Sequence, residues 1–383
     1  MAGQITTGYE IHSLPTNGSV ARVPSSRQAG RMPKYTEFSE LIEARIKRGD
    51  YVIRELPTEI ELATELGASR KTARRAMQDL LEKGIVVRKP YGRLAVNRDH
   101  AKVEGRLQLA FLASAFYSTH VEAWRLAVVR AAERVGAIVR PIDFVHWDDP
   151  AIYEALECFD GVFLVPSSEV IPDTVVERLS RAPHLVSLEN DLSQSGIPSI
   201  RLLPPRFIHQ LGDHLYDLGH RRIDALNTQP EDQVIQQRID HWLWWQRMHK
   251  TEGRVIRESV TPYEHAAPKA YEVMKRLLLA GEFNATGLVC ITNAAAVGAT
   301  RALQEHGIIV GKDVSVCAME GDNYAHYAWP ARTFLEVPEA DIYVQICVDW
   351  FTKRSEAWAG PKLVEPSTLG IFKGESTGPI ITS

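Results

Sequence analysis

A chain of 383 residues is too long for one ordinary core and suits two or three domains. Hydrophobic residues at 45% and charged ones at 24% describe a globular protein, and the absence of any run of ~18 apolar residues excludes a membrane-spanning helix. The opening stretch MAGQITTGYEIHSLP lacks the charged start and apolar core of a secretory signal, so a cytoplasmic protein with no membrane partner is expected.

The net charge of −4 conceals a division along the chain. Residues 31 to 96 carry 14 Lys and Arg against 10 Asp and Glu, whereas residues 97 to 383 carry 28 against 37. A basic N-terminal part on an acidic body is the charge pattern of a DNA-binding head. Cys158, Cys290, Cys317 and Cys347 stand far apart in apolar strings, which reads as small buried hydrophobes. Neither a metal nor a cofactor is expected.

Residues 1–34 are rich in Gly, Ser, Thr and Pro without hydrophobic periodicity and read as a flexible arm. From Tyr35 the helical spacing of Phe38, Leu41, Ile42 and Ile46 predicts a first helix, stopped by Gly49. Thr58-Glu59-Ile60-Glu61 is a capping box for a second helix that Gly67 ends, and Ser69 caps a third running to Lys83, with Gly84 beyond. IVVRKPYGRLAV then predicts two short strands around a turn at Tyr91-Gly92. Three helices and a hairpin make residues 35–96 a winged helix-turn-helix.

On the third helix Arg70, Lys71, Arg74 and Arg75 make one side basic, while Ala73, Met77 and Leu80 occupy another face. A recognition helix needs this division, because its apolar face docks on the first two helices while its N-terminal residues reach bases and phosphates. Ser69 and Thr72 stand at the same helix start, and Arg88, Lys89, Gly92 and Arg93 follow on the wing.

Residues 97–106 are polar and read as a linker. From Leu107, short apolar runs (LQLAFLA, AIVRPID, GVFLVP, HLVSLE, RIDALN, RVIRESV, GLVCITN, VSVCAME) alternate with amphipathic helical stretches. This alternation predicts an α/β body with parallel sheets, and its length favours two lobes over residues 107–377, leaving 378–383 as a tail.

Two resemblances follow from these words. LPTEIELATELGASRKTARRAMQDLLEKGIVVRK is similar throughout to the GntR-type winged-helix signature, which implies a homodimer reading a palindromic double-stranded operator. The family wing usually has two glycines flanking one residue and then a threonine, whereas this chain has Gly92-Arg93-Leu94-Ala95. The body resembles the effector domain of LacI-type repressors, which has the periplasmic-binding-protein-like fold. Phe159-Asp160-Gly161-Val162, Leu218-Gly219-His220-Arg221-Arg222-Ile223, ITNAAAVGATRALQEHGIIVGKDVSVCAME and IFKGEST carry that resemblance.

The second resemblance implies a small-molecule effector, possibly a sugar, held between the lobes at the carboxyl ends of the strands. Arg238 fills the place of the family's ligand-gripping arginine, Asn293 stands where an Asn-Asp pair is usual, and Glu320 replaces an acidic contact. Leu203 stands where the family has an aspartate, which removes an acceptor. Trp242, with Trp244 and Trp245, offers rings for stacking on a ligand or for a core; Tyr117 either lines the cleft or packs beneath it. The motifs of enzymes are missing, and His209, His214, His220 and His241 are spread along the chain rather than clustered. No catalytic residue is therefore expected. A regulator that has lost ligand control and an enzyme of small-molecule metabolism are the alternatives to an effector-controlled repressor.

Overall fold

The computed structural model describes residues 34–47, 50–51, 56–89, 92–97, 106–116, 118–353 and 356–380. Nearly all of the expected arm, the Gly49 stop, most of the 97–106 linker and Tyr117 lie outside the described residues.

The head comprises α1 (Lys34–Lys47), α2 (Glu59–Glu65), α3 (Arg70–Glu82), β1 (Val86–Arg88) and β2 (Leu94–Val96). Its start signals act as the sequence predicts. The Thr58 amide donates to Glu61 at 2.7 Å while the Glu61 amide donates to Thr58 Oγ1 at 3.3 Å, so two otherwise orphaned donors are satisfied at the start of α2. Ser69 Oγ accepts the Thr72 amide at 3.1 Å and opens α3. Gly84, at φ +71°, turns the chain from α3 into the hairpin, where Val86 pairs with Val96 and Arg88 with Leu94. Ile42, Ile46, Leu62, Ala73, Met77, Leu80 and Val86 form the core between these elements.

The body has two lobes. In the first, β3 (Gln108–Ser114), β4 (Ile138–Phe144), β5 (Gly161–Val165), β6 (Leu185–Leu188), β7 (Ser199–Ile200) and β13 (Leu363–Val364) form a parallel sheet in the order β4-β3-β5-β6-β7-β13. Along β3, Leu109, Phe111 and Ala113 enter one core and Ala110 and Leu112 the other, so the strand is apolar on both faces. The helices α4 (Thr119–Arg134), α5 (Pro150–Cys158), α6 (Asp173–Ser180) and α11 (Asp341–Thr352) belong to this lobe. Phe351 of α11 packs on Phe163, and a Cβ at Gly161 would meet its ring at 2.6 Å.

The second lobe orders β14 (Gly370–Phe372), β12 (Thr333–Glu336), β11 (Ser315–Ala318), β10 (Gly287–Cys290), β8 (Ile223–Asn227) and β9 (Val255–Arg257) across its sheet. The expected parallel pairing holds except at the edge, where β14 runs antiparallel to β12. On one face α7 (Ile208–Asp217) and α8 (Gln233–His249) cover the sheet, and on the other α9 (Ala266–Leu279) and α10 (Asn293–Glu305) do so.

The chain passes between lobes after β7, between β12 and α11, and after β13. At this crossing the buried Arg201 donates to Glu365 at 2.6 Å and to Gln237 at 3.0 Å, and Arg206 reaches Glu365 at 2.5 Å. The expected tail needs correction at its start. Ile380 donates its amide to the Leu218 carbonyl at 3.0 Å, and His220 holds the Gly378 carbonyl at 3.1 Å, so the folded body extends to residue 380.

Candidate nucleic-acid interface and interlobe cleft

On α3 the buried Ala73, Ala76, Met77 and Leu80 leave Arg70, Lys71, Arg74 and Arg75 exposed on the opposite side. Arg70, Lys71 and Arg74 have no ion-pair or hydrogen-bond partner among the described residues. Their charges are therefore available to a polyanion. Arg75 is differently placed, for its guanidinium lies over the Tyr35 ring of α1 at 4.2 Å. Ser69 and Thr72 share a hydroxyl contact of 2.8 Å at the helix start. On the wing Arg88, Lys89, Gly92 and Arg93 are exposed, and Arg88 Nη1 donates to the Gly92 carbonyl at 2.9 Å, bracing the tip. Gly92 adopts φ +82°, which a β-carbon would disfavour.

The candidate effector site draws on residues just beyond the carboxyl ends of strands β10 and β11, together with Arg238 from within α8. In the second lobe, Arg238 of α8 donates through Nη1 to the Ile291 carbonyl at 2.8 Å and to Glu320 Oε2 at 3.1 Å. Glu320 also accepts the Asn293 amide at 3.1 Å. The Asn293 side chain donates to Asp322 at 2.9 Å and accepts from the buried Arg332. Three of the expected effector residues, Arg238, Asn293 and Glu320, are thus brought into one network.

The first lobe answers with residues that the sequence reading missed. Glu189, just past β6 and at φ +70°, accepts Trp124 Nε1 at 3.0 Å, and His120 Nε2 lies 3.0 Å from the same oxygen. Burial disfavours both charges. Even so, the neighbouring Glu189 carboxylate, with a contribution from Glu320, holds the His120 pKa above its ordinary value. Burial likewise opposes ionisation of Glu189, yet His120, Arg238 and the Trp124 bond keep its pKa low. Arg238 and Glu320 of the second lobe add to the electrostatic setting of this pair. The available signal was position: Glu189 ends the strand string HLVSLE, and His120 follows the loop after the first strand.

Trp242 requires a correction. It is fully buried in the second lobe, stacked on Trp245 with centroids 5.0 Å apart, and therefore lines a core rather than a ligand site. Its apolar ring fills the space between α8 and the sheet, where Gly212 of α7 lets Trp245 approach. Leu203 is buried in the same core. His220, held by Thr286 and Ser315 at 3.0 Å each, is a structural residue. No cluster with metal-ligand geometry occurs among the described residues.

Comparison with known proteins agrees with the division into a head and a body. Residues 34–96 match the profile of bacterial regulatory proteins of the gntR family, and residues 212–355 match that of the periplasmic binding protein-like domain. The HTH-type transcriptional repressor MelR of Bacillus subtilis is 24% identical over 188 residues, 46% of this chain and 52% of that protein, so the match spans about half of the relative. The arabinose metabolism transcriptional repressor of Halalkalibacterium halodurans is 23% identical over 339 residues, 81% of this chain and 86% of that one.

Among solved structures, the lac repressor dimer bound to operator and the anti-inducer ONPF has a TM-score of 0.60 at 18% identity, covering 74% of this chain and 98% of that one. A LacI family regulator from Enterococcus faecium with bound ribose gives 0.59 at 18%, covering 72% and 100%. The class is that of DNA-binding transcription regulators, in which a gntR-type winged head is joined to a periplasmic-binding-protein-like body of the LacI fold.

Proposed function

We propose that the protein is an operator-binding transcriptional repressor whose DNA affinity is controlled by a small polar effector, a sugar or sugar-like molecule, held between the lobes. The observation that supports this is the hydrogen-bonded network of Arg238, Asn293 and Glu320 beside the strand ends of one lobe, together with the His120–Glu189 pair past the strand ends of the other. Paired donors and acceptors on two movable walls suit a ligand rich in hydroxyl groups, and a ligand that binds one lobe arrangement better shifts the population of that arrangement. The 97–106 linker passes the shift to the head.

Two heads on a palindromic operator require a homodimer. Tyr324, Tyr327 and Trp329, exposed at 75%, 86% and 84%, supply apolar area on which a second copy can rest. A cytoplasmic location, the absence of a cofactor and the absence of enzymatic turnover complete the reading. The relatives named for arabinose repression and for bound ribose make those two pentoses the first probes.

The test is selection of DNA sequences by the purified protein, followed by anisotropy titration of the selected site with and without arabinose or ribose. Selective retention of a palindrome, loosened by sugar, is the expected result; indiscriminate DNA binding overturns the operator reading. Sedimentation of the free protein tests the dimer. A regulator indifferent to ligands is the second reading. Leu203, locked in a core where the LacI family offers an acidic acceptor, favours it. Retention of the palindrome with no response to sugars would select that reading.

A further inference from the structure

Between β9 and α9 the chain turns through Thr261-Pro262-Tyr263-Glu264. The Glu264 amide donates to the Thr261 carbonyl at 3.2 Å, and the Thr261 amide to Glu264 Oε2 at 3.0 Å. Proline in second place and φ +74° in third define a type II turn. Glycine or asparagine normally takes that third place, because a larger side chain there crowds the backbone. Here it is tyrosine. Such a conformation persists where surrounding contacts hold it.

Those contacts belong to the opposite lobe. The Tyr263 hydroxyl donates to the Val145 carbonyl just past β4. Its ring meets Phe116 at 6.4 Å and His146 at 6.1 Å, both edge to face. Beside it His265 packs on Phe116 at 5.4 Å. Phe116, Val145 and His146 all follow the carboxyl ends of first-lobe strands, and Tyr263 follows β9 of the second, so this cluster joins the strand-end sides of the two lobes.

We propose that Tyr263 is an interlobe clasp: a turn of the second lobe presents it to Phe116, His146 and the Val145 carbonyl when the lobes are close and withdraws it when they part. The clasp biases the body toward closure before any effector arrives. Its influence on DNA affinity rests on the cleft being the effector site, whereas the clasp itself rests on these contacts alone.

Hydrogen exchange of the full chain without ligand tests it, with two variants. Tyr263→Phe removes only the hydroxyl; Tyr263→Gly removes the ring and suits the left-handed backbone. Exchange is expected to quicken at both 144–149 and 258–266, about fivefold for Tyr263→Phe and more for Tyr263→Gly, with β5 and β10 unchanged. Acceleration confined to 258–266, or none in either variant, overturns the clasp. A thermal-shift titration of the unaltered protein with arabinose and ribose reports separately on the sugar reading, which falls if neither shifts the transition, whatever the exchange pattern says of the clasp.

Discussion

Arg238 and Glu320 form a 3.1 Å ion pair in which the arginine side chain is 9% exposed, and the same guanidinium holds the Ile291 carbonyl. Its Nε is buried without a partner. Arg238→Ala therefore removes the proposed ligand donor and also leaves Glu320 without its cation. We expect loss of any sugar effect on DNA affinity and a body destabilised by about 3 kcal/mol, with sugar-free DNA affinity retained. Anisotropy and melting of the variant check both; an intact sugar response would remove Arg238 from the site.

The head separates its arginines. Arg70→Ala and Arg74→Ala are expected to weaken operator binding roughly ten- to hundredfold, and Lys71→Ala to lower the salt slope of binding by about one. Arg75→Ala loses its place over Tyr35 and should lower head stability besides. Titrations at several salt concentrations, with melting curves, distinguish the two effects. Equal DNA affinities for all four variants would displace α3 from the groove.

His120 and Glu189 make the first lobe sensitive to pH. A histidine whose folded pKa lies above its ordinary 6.5 adds stability that is complete below that value and is lost as pH rises through the raised one. Glu189, with a depressed pKa, adds stability above its ordinary 4.5 that is lost as pH falls through the depressed value. Glu189→Gln should bring the His120 titration down, as read by NMR. A titration that stays in place would show that the carboxylate does not govern His120.

Gly212 faces the Trp245 ring, where an added Cβ would stand 2.5 Å away. Gly212→Ala is expected to cost the body about 1–3 kcal/mol through displacement of that ring and its stacked neighbour Trp242. Thermal denaturation provides the measure. A neutral substitution would mean that the α7–α8 contact yields easily.

Local signals were the most legible part of the sequence. The Thr58 box, the Ser69 cap and the apolar strings of β3, β5, β6 and β8 became the elements they announced. Short pieces such as β7 and β13, of two residues each, carry no periodicity, because their place depends on a sheet assembled from distant chain. The site divided in the same way. Arg238, Asn293 and Glu320 stood in recognisable words, whereas His120 and Glu189 meet only after residues 69 positions apart are folded together. Trp242 stayed open between two roles because an aromatic on an amphipathic helix has the same spacing whether it faces a ligand or a core.

The three chain crossings decide how this molecule can be taken apart. A fragment ending after β7 would contain most of the first sheet but lack α11 and β13, leaving Phe163 without Phe351 and the β7 edge unpaired. Neither lobe is a contiguous sequence, so recombinant halves cut between them should be insoluble. The 97–106 stretch, the proposed linker, is the joint to cut instead, and a head swap there is expected to change the DNA sequence recognised while leaving the three lobe crossings intact.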